Sequence, residues 1–65
     1  MNAREVVAVL KAAGRFEIRT SRSHQQLRHP ARRGLVTVPL HGSRDLKIGT
    51  LISIERQGGV TLRRR

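Results

Sequence analysis

Apolar residues recur in this chain at two different periods, and the change of period divides it into five segments. From Ala3 to Ala13, the positions Val6, Val7 and Leu10 fall at i, i+1 and i+4 and share a face with Ala3 and Ala13. That is the spacing of an amphipathic helix. Asn2 is placed to cap it, and Glu5, three residues on, completes a capping box. Gly14 supplies the stop. Phe16 and Ile18 then alternate with Arg15, Glu17 and Arg19, which predicts a half-buried strand. Thr20 to Ser23 is a polar turn. A second strand runs from His24 to His29, with Leu27 inward beside Gln25 and His29. The same alternation puts His24, Gln26 and Arg28 on the opposite face. Pro30 to Gly34 is a hairpin loop. Leu35 to Val38 form a third strand, ended by Pro39, which cannot donate to a ladder. After a loop over His41 to Asp45, Leu51 and Ile54 mark a last helix, with Ile48 three residues earlier. It starts between Asp45 and Thr50 and runs to about Gln57, where Gly58-Gly59 ends it. Val60 to Arg65 form an extended or frayed tail.

The order helix, three antiparallel strands, helix predicts an α+β two-layer sandwich, with both helices on one face of the sheet. At 65 residues the chain makes one domain, residues 1–65, with a thin core. It has no Trp, no Tyr and one Phe, so Val, Leu, Ile and Ala must fill that core.

Charge changes the picture most. The chain carries 14 Lys and Arg against 4 Asp and Glu, a formal net charge of +10. Such an excess points to a polyanionic partner. Arg32-Arg33 and the tail Arg63-Arg64-Arg65 are its densest spots. With no cysteine there is no disulfide and no thiolate metal site. No apolar run approaches the roughly 20 residues of a membrane span, and Lys11 and Arg15 interrupt any secretory segment. A soluble, cytoplasmic protein is the expectation.

The acidic residues Glu5, Glu17, Asp45 and Glu55 are scattered over different elements, without metal-ligand spacing. A two-metal nuclease needs several converging carboxylates. Nor is there a GxSxG elbow for a serine hydrolase. What remains is metal-free cleavage of RNA. There the 2′-hydroxyl is an internal nucleophile that needs a base, and cations that steady the phosphate. A neutral imidazole suits the first role and Arg the second. His24, within Arg22-Ser23-His24-Gln25-Gln26-Leu27-Arg28, is the candidate base.

The ordered set Ser23-His24, Arg28-His29-Pro30, Val36-Thr37-Val38-Pro39, His41-Gly42, Asp45-Leu46-Lys47, Gly49-Thr50-Leu51, Ile54 and Gln57-Gly58 resembles the HicA toxin family of bacterial mRNA interferases, over about residues 3 to 62. The resemblance implies a double-stranded-RNA-binding-like fold. It also implies a translation-blocking endoribonuclease whose catalytic histidine, here His24, follows the serine of a Gly-Ser-His motif. A HicB-like antitoxin would bind the protein and cover the site, so the chain is expected to be a monomer alone and part of a hetero-oligomer with the antitoxin. In this sequence Arg22 replaces the usual glycine, Gln25 a common second histidine and Leu27 a common aromatic.

The expected site is therefore His24 as general base, Ser23 as orienting hydroxyl, and Arg22, Arg28 and Lys47 as RNA contacts, without metal or cofactor. Lys47 sits where the last helix begins and would add to its positive end. His29 and His41 are expected to be structural and loop residues. With neither Tyr nor Trp, stacking platforms for bases are nearly absent and sequence preference should be weak. A binding module without catalysis and a small ribonucleoprotein component are the competing readings.

Overall fold

The computed structural model describes residues 1–63. The elements are α1 (Ala3–Ala12), β1 (Phe16–Thr20), β2 (His24–Arg28), β3 (Val36–Pro39) and α2 (Ile48–Gly58). The predicted order is the observed one. Arg64 and Arg65 of the basic tail lie outside the described residues.

Helix α1 begins as its sequence dictates. The Asn2 side chain accepts the Glu5 N–H at 2.9 Å, and Glu5 Oε1 accepts the Asn2 N–H at 2.9 Å. A cap of this kind contributes about 1 kcal/mol. Ala3, Val6, Val7 and Leu10 are buried, while Ala13, expected on the same face, is exposed beyond the last turn.

The sheet has the order β1-β2-β3, antiparallel throughout. Leu27 lies opposite Val36 and Gln25 opposite Val38, on the face that carries the helices. Leu27, Val36 and Val38 meet Val6, Leu10, Leu51 and Ile54 in a core made only of Ala, Val, Leu and Ile. The shortest molecular dimension, 17 Å, is that of one helix layer on one sheet. Gly58 sets how closely α2 approaches α1: a Cβ there would stand 2.9 Å from Leu10 Cδ2. Gly59 then ends α2 in the left-handed conformation, φ 64°, donating its N–H to the Glu55 carbonyl.

One expectation fails. All five residues of strand β1 are exposed, the apolar ones included: Phe16 is 46% and Ile18 45% exposed, whereas Arg15, just before the strand, is 4% exposed. The helices pack chiefly over β3, so β1 overhangs the core and is open to solvent along its length. Ile18 is the extra residue of a β-bulge, between the pairs Glu17–Leu27 and Arg19–Gln26. Arg15 is buried because its guanidinium has carbonyls to meet. Nη1 donates to Leu27 O at 3.5 Å and Nη2 to Gln57 O at 3.4 Å. Arg32 Nη1 donates to Gly58 O at 3.3 Å. Two cations thus close the negative end of α2. Burial, and next the charge of Arg32, pull the Arg15 pKa below its ordinary value.

His29 is structural, as expected. Its Nδ1 accepts the N–H groups of Ala31 and Arg32 at 3.0 and 3.2 Å, ordering the turn toward β3. The start of the tail is not frayed. Glu55 Oε2 accepts the N–H groups of Leu62 and Arg63 at 2.8 and 3.0 Å, and Arg63 Nε donates to Glu55 Oε1 at 3.0 Å. Arg63 is therefore an internal partner rather than a free tail charge. The backbone N–H groups of Arg63 and Leu62 are the main reason the Glu55 carboxyl sits below its usual pKa. A lowered folded-state pKa means the clip is intact above the ordinary carboxylate range and lost as pH falls through the folded value. Glu55→Ala at neutral pH is expected to release Leu62 and Arg63, and acidification to do the same in the unaltered chain. Amide hydrogen exchange at these two residues reads both; unchanged protection in the variant would refute the clip.

Candidate active site

His24 opens β2, and its backbone is held before its side chain does anything. The Ser21 N–H donates to His24 O at 2.8 Å, and the His24 N–H donates to Ser21 Oγ at 3.2 Å. The Ser23 carbonyl accepts the Leu40 N–H at 2.7 Å, extending the ladder between β2 and β3. Ser23 precedes the strand, in a bend, so strand alternation does not force its hydroxyl away from its neighbour. Ser23 Oγ stands 3.2 Å from His24 Nδ1. The imidazole is exposed, and its hydrogen-bond contact among the described residues is at Nδ1.

The ring faces a groove of about 360 Å³ between the sheet margin and α2. Thr37 and Pro39 of β3 form one wall, and Gly49, Thr50, Ser53 and Gln57 the other. His24 pairs with Pro39 and Gln26 with Thr37, which puts these side chains on the face away from the core. Because α2 runs antiparallel to β3, its first turn lies at the His24 end. That turn has Lys47 at the N-cap, no side-chain cap and no acidic residue, so its backbone N–H groups present positive charge to the groove.

The other expected residues divide. Arg22 is exposed two positions before His24, and Ser23 touches the ring. Among the described residues none other than glycine has positive φ, so Arg22 occupies the usual glycine position without strain. Lys47 caps the helix end beside the groove. Arg28 shares the face of His24 but lies four residues along β2, about 13 Å away at the rise of a strand. It is not adjacent to a phosphate that the imidazole reaches. Ser21 and the polar stripe Thr50, Ser53 and Gln57 were not singled out from the sequence. The stripe's helical spacing is a legible signal, since these positions alternate around the helix with Leu51 and Ile54.

Each of the four side-chain carboxylates is engaged elsewhere. Glu5 caps α1, Glu17 accepts from Thr20 and Gln25, Asp45 pairs with the Met1 ammonium at 3.2 Å, and Glu55 holds the tail. Among the described residues the ion pairs are those of Met1 with Asp45 and Arg63 with Glu55, which leaves Arg22, Arg28 and Lys47 unneutralised. Nor do three His, Asp or Glu side chains converge among them. No helix among the described residues is long and apolar enough to cross a membrane.

An α-β-β-β-α sandwich with an open sheet face places the chain in the double-stranded-RNA-binding-like class of α+β folds. The family model described as HicA toxin of bacterial toxin–antitoxin systems matches residues 3–60. The chain belongs to the HicA toxin family, and so to the toxins of toxin–antitoxin systems. Comparison with curated proteins gives no match.

Proposed function

We propose that this chain is a metal-independent endoribonuclease that cleaves mRNA in the cytoplasm and is held inactive by a HicB-like antitoxin. The observation that carries the proposal is the His24 imidazole, which meets Ser23 Oγ at Nδ1 and lines a groove that holds no carboxylate. With the Nδ1–H donating to Ser23 Oγ, the Nε2 lone pair takes the proton of a ribose 2′-hydroxyl. The 2′-oxygen attacks the adjacent phosphorus and the 5′-oxygen departs, protonated by solvent. The products are a 2′,3′-cyclic phosphate and a 5′-hydroxyl.

Arg22, the first-turn N–H groups of α2 and Lys47 stabilise the charge that builds on the phosphate. Arg28 holds the strand farther along. The antitoxin matches the same positive surface with acidic groups and so excludes RNA from it.

In chelating buffer the purified chain is expected to cut a short RNA. A single 2′-deoxy substitution at the cleaved nucleotide should stop the reaction, and the product should carry a cyclic phosphate. Cleavage that survives the deoxy substitution, or RNA that shifts on a gel yet never shortens, would overturn the proposal. The second result identifies a binding module.

A further inference from the structure

The register of strand β1 puts the chain's one aromatic ring on the face that carries His24. Phe16 pairs with Arg28 in the antiparallel register, so both side chains project from the same side of the sheet. Arg19, opposite Gln26, joins them. That face thus bears His24, Gln26 and Arg28 on β2 beside Arg19 and Phe16 on β1.

Phe16 stands 46% exposed in a chain too short to waste apolar surface. The residue opposite it is a guanidinium with no carboxylate partner among the described residues, not another apolar side chain. An exposed ring beside an unpaired planar cation suits one ligand chemistry: a flat base to stack on the ring, carrying a phosphate for the arginine.

We infer that Phe16 and Arg28 form a nucleotide station for an unpaired base of RNA, in line with the cleavage site at His24. This rests on the proposed function and deepens it. A base can stack on a side chain only when it has left its own helix. The station therefore selects single-stranded RNA, although folds of this class are associated with duplexes. It sits about 13 Å from His24 along β2, so it reads a position a few nucleotides from the cleaved bond. The chain thus has the stacking platform that its composition argued against.

The test is binding rather than cleavage. A fully 2′-O-methylated oligonucleotide, which cannot be cut, carries one 2-aminopurine whose fluorescence is quenched by stacking. The chain and its Phe16→Ala, Phe16→Leu and Phe16→Tyr variants are titrated with it, single-stranded and annealed to a complement. Phe16→Ala and Phe16→Leu are expected to weaken single-strand binding on the order of tenfold and to lose the quenching. Phe16→Tyr is expected to retain both, and duplex binding to change in none of them.

Wild-type affinity and quenching in Phe16→Leu, or equal losses for single strand and duplex, would overturn the station. So would loss of antitoxin binding alone, which would assign the ring to the protein partner. These readouts do not depend on cutting. A chain that quenches but never cleaves therefore refutes the nuclease proposal and keeps the station, and a chain that cleaves but never quenches does the reverse.

Discussion

Replacing His24 with alanine is expected to leave the protein folded and to lower the rate of RNA cleavage by about 10²–10⁴-fold, the usual worth of a positioned general base. The two halves of this expectation have separate structural grounds. The imidazole is exposed, and its one protein partner is the Ser23 hydroxyl. The main-chain bonds that fix residue 24 run through Ser21, and β2 stays paired with β3 around it. Removing the ring therefore opens no cavity and orphans no buried group, so stability should change by less than about 0.5 kcal/mol. Under the proposed mechanism, by contrast, cleavage loses its general base, and no carboxylate among the described residues lines the groove to replace it. Thermal unfolding and the rate of product formation in chelating buffer measure the two halves independently. Growth arrest on induction should vanish with the rate. Undiminished cleavage by a folded variant would remove His24 from the mechanism.

Leu10→Ala is expected to abolish activity by the opposite route. Leu10 is fully buried against α2 beside Gly58, away from the groove. Truncating a buried leucine costs about 2–5 kcal/mol. A chain of 65 residues holds in total roughly 3–10 kcal/mol. In the lower part of that range, where the thin core of so short a chain places it, the loss consumes most or all of the stability, and the isolated variant should be substantially unfolded at 25 °C. Circular dichroism separates this outcome from that of His24→Ala, since here the far-ultraviolet signal collapses. A ligand that binds only the folded state, such as the antitoxin, should restore part of it. A Leu10→Ala chain that unfolds at the wild-type temperature would mean the core is not where the structure puts it.

Much of this architecture was legible in the sequence because local signals agree with one another. Asn2 and Glu5 fix the first turn of α1, Pro39 ends β3, and Gly59 ends α2. Strand β1 was misread for a physical reason. Alternation gives the period of a strand, but whether either of its faces is buried depends on what covers it. No local pattern says that the helices stop short of β1, or that carbonyls of β2 and α2 await Arg15. The candidate site is legible in the sequence where it is contiguous, in Ser23 and His24. Its other wall, from Gly49 to Gln57, is brought there by the packing of α2 on β3 and has no proximity to His24 along the chain. The reach of Arg28 was likewise invisible: sharing a face is a matter of parity, whereas sharing a phosphate is a matter of distance.

The internal use of the four acidic side chains reaches beyond the groove. With its few anions tied to backbone, hydroxyl, amide and terminal groups, the folded chain has almost nothing left to offset its own cations. Compaction gathers like charges into a body with a radius of gyration of 10.8 Å, and their mutual repulsion works against the fold. Whatever polyanion docks on this surface relieves that strain as it binds. The binder doubles as a folding agent, and added salt, by screening the repulsion, steadies the solitary molecule while loosening its grip on its ligands.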